Sequence, residues 1–151
     1  MKNMRRIFIL FLMVVILVMG ISTFGSAIEK LPCSTDVKDI KIVYIGKSIT
    51  YLFWQTAMAG AKVAAGQLGI NIDCLSPAAG AAFAEQVAIF DTAIGTNPDA
   101  VILGPLTADS LVPGIEKIVK EGTKVVIIDS SVNTDSYSTF VASDNVAAGK
   151  S

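Results

Sequence analysis

The 151-residue chain sets 12 Lys and Arg against 13 Asp and Glu, a formal charge of −1, and contains no histidine. The missing imidazole excludes a Ser-His-Asp or Cys-His nucleophile pair and any histidine metal site. No Lys/Arg cluster follows Arg6, so there is no basic surface to neutralise phosphates and nucleic acid is not an expected partner.

Residues 1–27 have the layout of an export signal. Lys2, Arg5 and Arg6 supply the positive start, and Ile7 to Met19 is an unbroken apolar run of 13 residues. At 1.5 Å per helical residue, that run is short for a hydrocarbon core of about 30 Å. Gly20 interrupts it, and small residues at Gly25 and Ala27 place cleavage before Ile28. The alternative is an uncleaved anchor lengthened through Ile21 and Ile28; both put the remainder outside the cytoplasm. Pro32 and Lys30 are unsuited to a lipid-anchor signal at Cys33. Removing three cations and no acid leaves 9 cations against 13 acids, a mature charge of −4. Residues 28–37 then lead into a domain spanning 38–151. Cys33 and Cys74 are the only cysteines, and in an oxidising compartment a bridge or two separate thiols both fit, because spacing does not supply the geometry.

Along the domain, Asp39 to Gly46 is a β-branched run closed by glycine, a first strand with a tight exit. Phe53, Trp54, Met58, Ala61, Ala65 and Leu68 recur at helical steps before a stop at Gly69. Ile70–Leu75 reads as a second strand, Ala81–Ala93 as a second helix and Ala100–Leu103 as a third strand. Leu111–Glu121 is a third helix, with Pro113 tolerated in its first turn, and Lys124–Asp129 a fourth strand. Thr139–Ala142 makes a fifth strand, after which Asp144 or Asn145 caps a helix in progress at Ser151. Strands alternating with helices give βαβ units, hence an α/β domain with a doubly wound parallel sheet in three layers, covered on both faces. Continuous apolar runs such as Val125 to Ile128 fit strands buried on both sides.

Two Gly-Lys-Ser tripeptides invite a phosphate-loop reading and fail it. The motif needs a glycine five positions earlier, where Gly46-Lys47-Ser48 has Lys41 and Gly149-Lys150-Ser151 has Asp144. No cofactor and no metal are expected. Ligands of open parallel sheets bind beyond the carboxyl ends of the strands. There the chain places Lys47-Ser48 through Tyr51, Phe53 and Trp54, then Asp129-Ser130, then Ser143-Asp144. Aromatic faces cover the C–H side of a sugar ring, and hydroxyls and carboxylates satisfy its O–H groups. Of the aromatic pair, one is expected to pack inward, Phe53 rather than Trp54. Asp144 suits a helix cap, and Ser143 before it a hydroxyl contact.

The ordered set Ile40–Gly46, Tyr51-Leu-Phe-Trp-Gln55, Gly60–Gly69, Asn97–Pro105, Val125–Asp129 and Val141–Gly149 resembles the amino-terminal lobe of type I periplasmic sugar-binding proteins, the ribose-binding type closest. The resemblance runs from about Lys38 to Ser151. It implies strand order 2-1-3-4-5 and a hinged, two-lobed receptor that closes on a monosaccharide or related polyol. Such a receptor delivers its ligand to a membrane ABC transporter permease and performs no chemistry on it. By position it assigns ligand contact to Tyr51, Phe53, Trp54, Asp129 and Ser143, with Ser48 and Ser130 beside them. Two positions depart from the ribose pattern: Ser130 stands where an arginine follows the aspartate, and Tyr51-Leu52 where Asn-Pro is usual. A missing guanidinium removes a fork of donors, which counts against ribose itself. The length implies a truncated copy with a half-built cleft. A sensor domain docking on a receptor kinase is the second reading, and a flavodoxin-like enzyme, disfavoured by the failed phosphate loops, the third.

Overall fold

β-Branched runs of three to five residues form the sheet of the computed structural model, which describes residues 36–79 and 82–150. The export segment, its cleavage site and Cys33 lie outside the described residues. The strands are β1 (Lys41–Ile45), β2 (Asn71–Leu75), β3 (Ala100–Leu103), β4 (Lys124–Ile128) and β5 (Thr139–Val141). All neighbours pair in parallel, in the order β2-β1-β3-β4-β5 that the resemblance implies. Between them run α1 (Leu52–Leu68), α2 (Phe83–Ile94) and α3 (Val112–Lys120), and a single turn α4 (Asn145–Ala148) follows β5. A 3₁₀ turn at Val37–Asp39 precedes β1, its amide at Lys38 accepted by the Asp36 carboxylate, so the first strand starts two residues later than its apolar run suggests.

The strand period of two sorts the sheet into unequal faces. Val43, Ile45, Val101, Leu103, Val125 and Ile127 share one face and are buried against Phe90 and Ala93 of α2, Leu111, Ile115 and Ile118 at α3, and Val132. Each large apolar side chain buried there contributes about 1.5–3 kcal/mol, so this layer holds the domain together. The opposite face carries Ile42, Tyr44, Ile102, Val126 and Ile128. Tyr44 is buried, whereas the other four are half-buried. Its cover comes from α1, which packs on β2 and reaches inward through Trp54 and Ala65. The three layers expected from the βαβ pattern are therefore present, with one side closed and the other closed in part.

Helix α1 reverses the expectation for its two aromatic residues. Trp54 is buried and Phe53 is 63% exposed. Residues 54, 57, 58, 61 and 65 lie on one helical stripe, all of them buried or half-buried, and Phe53 stands about 100° away from it. The floor under Trp54 explains why the larger ring goes in. The indole lies over the backbone of Gly46 and Gly104, the residues that leave β1 and β3. A Cβ at Gly104 would sit 2.6 Å from Trp54 Cη2, and one at Gly46 3.3 Å from Trp54 Cε3. Two strand ends without side chains make a slot as wide as a bicyclic ring.

Gly104→Ala should therefore displace the indole and destabilise the domain by about 1–3 kcal/mol, the usual effect of overpacking a filled site. Thermal unfolding together with the emission of Trp54, the one tryptophan of the chain, checks this. A variant with native melting and native emission would contradict the packing described.

Candidate functional site

At the carboxyl edge of the sheet, the exits of β4 and β5 and the start of α1 surround an open cleft of about 280 Å³. It is lined by Phe53, Trp54, Ala57, Ile128, Asp129, Val141, Ala142 and Ser143. That volume lies at the small end of the about 300–1,000 Å³ usual for small-molecule sites. Phe53 and Trp54 meet edge to face, ring centroids 5.1 Å apart and planes at 84°. The buried indole thus forms a wall, while the phenyl ring offers a free face to solvent.

Opposite the rings stands Asp129, one residue past β4, with φ of 69°. Non-glycine residues seldom adopt this left-handed backbone, and it is held here by pairing on both sides: Asp129 N–H donates to Val141 O at 2.9 Å and Ser130 N–H to Ile128 O at 2.8 Å. The turn swings the carboxylate toward β1. There Lys47 Nζ donates to Asp129 Oδ2 at 2.6 Å and to Ser130 Oγ at 2.5 Å, and Ser130 Oγ donates to the same carboxylate oxygen at 3.0 Å. The ammonium also lies 5.6 Å above the Trp54 ring centroid, within range of its quadrupole. The hydrogen bond from Lys47 holds the Asp129 carboxyl below its ordinary pKa, assisted by Ser130 and opposed by partial burial.

Beneath the cleft, Gln86 of α2 is buried and fully engaged. Its Nε2 donates to Gly46 O at 3.0 Å and to Gly104 O at 2.9 Å, and its Oε1 accepts from Leu106 N–H at 2.9 Å. The amide ties together the two loops on which Trp54 rests.

Of the residues singled out from the sequence, Phe53, Trp54, Asp129 and Ser143 come together in one cleft. Ser130 joins them at one remove, through Lys47 and Asp129. Tyr51 is exposed at the amino end of α1, outside the cleft lining. Ser48 is fully buried, and its Oγ is engaged by Thr50 N–H at 3.0 Å and Thr50 Oγ1 at 2.8 Å, so it shapes the loop under the cleft instead of facing it. Asp144 caps α4 through Ala147 N–H at 2.8 Å. Sequence reasoning missed Lys47 and Gln86. Lys47 drew attention only as a failed phosphate loop. Gln86 betrayed itself as a polar residue on the same helical face as Phe90 and Ala93.

Two aromatic rings, a carboxylate paired with Lys47 and a serine are thus grouped on one shallow cleft. Residues 42–151 match the family described as periplasmic binding protein domain, and the chain belongs to that family. An ABC transporter solute binding protein from Agrobacterium vitis with bound D-fucose superposes with a TM-score of 0.68 at 38% identity, over 73% of this chain and 39% of that one. A periplasmic component of an ABC-type sugar transport system from Hahella chejuensis gives 0.68 at 29%, over 73% and 40%. A carbohydrate transporter solute binding protein from Agrobacterium radiobacter, in complex with D-arabinose, gives 0.69 at 25%, over 76% and 39%. The chain spans about 40% of the length of these structures. These relatives are binding proteins, not enzymes.

The ion pair gives the site a pH signature. Because the folded pKa of Asp129 is depressed, its contribution is present above the unfolded carboxylate range and is lost as pH falls through the folded value. Acid titration should leave Lys47 over the indole through the ordinary aspartate range of about 4 and release it only below. Trp54 emission reads the release. A transition at or above pH 4, or the same acid transition in Lys47→Met, would disprove the pairing.

Proposed function

We propose that this chain forms the amino-terminal lobe of an exported sugar receptor, with residues 1–27 as its export signal. The receptor binds a monosaccharide or related polyol at the carboxyl edge of the sheet and delivers it to an ABC transporter permease. The observation that carries this reading is the meeting of Phe53, Trp54, Asp129 and Ser143 in one cleft, from the start of α1 and the exits of β4 and β5. The bound D-fucose and D-arabinose of two similar proteins support the ligand class.

The chemistry assigns each group a task. The exposed face of Phe53 covers the apolar C–H side of the ring, with Trp54 packed edge to face behind it. Among the described hydrogen bonds, Asp129 is engaged through Oδ2, which leaves Oδ1 to accept from a sugar hydroxyl. Lys47 supplies ammonium protons to a ring or hydroxyl oxygen on the same side, so the cation that the ribose pattern takes from an arginine beside the aspartate arrives here from β1. The Lys47–Asp129 pair keeps this part of the cleft electrically neutral, which suits an uncharged guest.

A panel of pentoses, hexoses and polyols should perturb the emission or the indole N–H resonance of Trp54. Phe53→Ala should weaken the response about three- to tenfold, as expected for loss of one aromatic contact. Asp129→Ala should abolish it with the fold retained. A silent panel would sink the reading, and unaltered affinity in Asp129→Ala would remove the role given to that carboxylate.

A further inference from the structure

Among the buried polar side chains of the described residues, Tyr44 stands apart. It occupies the fourth position of β1, on the face covered by α1, beside Cys74 of β2 and Ile102 of β3. Its residue exposure is 2%, and its hydroxyl is buried with no hydrogen-bond partner among the described residues. Buried hydroxyls almost always have a partner, because leaving one unpaired forfeits its hydration without return. An orphan of this kind asks for a reason. Tyr44 sits in a β-branched run where Val, Ile or Leu would fill the strand position with no polar atom to satisfy.

The direction of the ring supplies the reason. Tyr44 Cε1 lies 3.2 Å from the point where a Gly46 side chain would begin, and Trp54 Cε3 lies 3.3 Å from the same point. The phenol therefore leans along β1 toward the carboxyl edge of the sheet and shares with the indole the space above Gly46. Burial, with Cys74 and then Asp129 adding to it, pushes the phenol up to about 12. Trp54 lines the cleft and packs beside Tyr44 over Gly46, so the indole stands between the phenol ring and a guest.

We propose that Tyr44 is a concealed specificity-determining residue: its hydroxyl stays unpartnered while the cleft is empty and donates to an oxygen of the sugar when the seated guest shifts the Trp54 indole. The inference rests on the sugar-binding reading of the cleft. It makes a demand that a purely structural tyrosine does not meet, because stability and affinity must respond to one atom in opposite directions.

Tyr44→Phe deletes that atom and keeps the ring. In the sugar-free full chain, its melting temperature should equal or exceed that of the wild type, since no hydrogen bond is lost and a buried orphan is removed. Affinity for whichever of D-fucose, D-arabinose and D-ribose binds the wild type best, followed through the Trp54 indole N–H resonance, should fall about three- to tenfold. A lower melting temperature without sugar would overturn the inference, because the hydroxyl would then already have a partner. So would unchanged affinity in a variant that melts normally. A wild type silent toward all three sugars, with Tyr44→Phe melting at or above it, counts against the sugar reading and against the ligand role of the hydroxyl, while the unpartnered state of Tyr44 stands.

Discussion

The geometry of this lobe depends on two glycine exits held between a ring and an amide. Gly46 and Gly104 leave adjacent parallel strands at the same height, and neither has a side chain to keep Trp54 away. From the other side of the sheet, Gln86 joins their carbonyl oxygens through one NH₂ group and uses its remaining oxygen on Leu106 N–H. Both amide protons and the amide oxygen of this buried side chain have a partner, which makes such a network rigid instead of costly. A glutamate of the same shape would bring a charge and no protons for the two carbonyls. A leucine would leave both carbonyls unpaired on that side. The mouth of the sheet is therefore fixed before any ligand arrives, and α1 starts from a fixed point.

Charge in the cleft is handled by reach across the sheet. Asp129 follows β4 and Lys47 follows β1, two strands away, yet their groups close to 2.6 Å. The left-handed turn at Asp129 is what makes the distance short. A left-handed non-glycine residue costs on the order of 1–3 kcal/mol and persists only where its surroundings enforce it. Here the enforcement is the pair of backbone bonds around the turn, Asp129 N–H to Val141 O and Ser130 N–H to Ile128 O. The pair itself adds little to stability, because Asp129 is 41% exposed and water screens it. Its effect is positional: it holds a carboxylate and an ammonium together beside the cleft.

The strands and their parallel winding were legible because runs such as Val125 to Ile128 are apolar without alternation, a pattern that only two-sided cover explains. The inward turn of Trp54 was also legible, in the 54, 58, 61, 65 stripe, but the bulk rule that favours burying phenylalanine pointed the other way. Periodicity decided it, since a helix faces its sheet along one stripe whatever the preference of a single ring. Lys47 was not legible as a site residue. Its partners lie 82 and 83 positions away, and no local spacing encodes a contact made by sheet order. Ser48 was placed among the ligand contacts by its loop, yet it is buried, with its hydroxyl engaged by Thr50 N–H. The unpartnered phenol of Tyr44 has no sequence signal at all, since tyrosine is an ordinary strand residue.

The unequal faces of the sheet bear on how tightly such a cleft can hold anything. Phe53, Ile128 and Val141 leave apolar surface open beside Asp129, and a guest seated on them would keep its outer side in water. Small-molecule sites that bind well enclose most of the ligand surface and strengthen each polar contact by excluding solvent. One wall supplies orientation: a ring face, a carboxylate and a serine. It does not supply exclusion. Orientation and exclusion are separate properties of a binding surface, and this cleft has groups for the first and an open side where the second is needed.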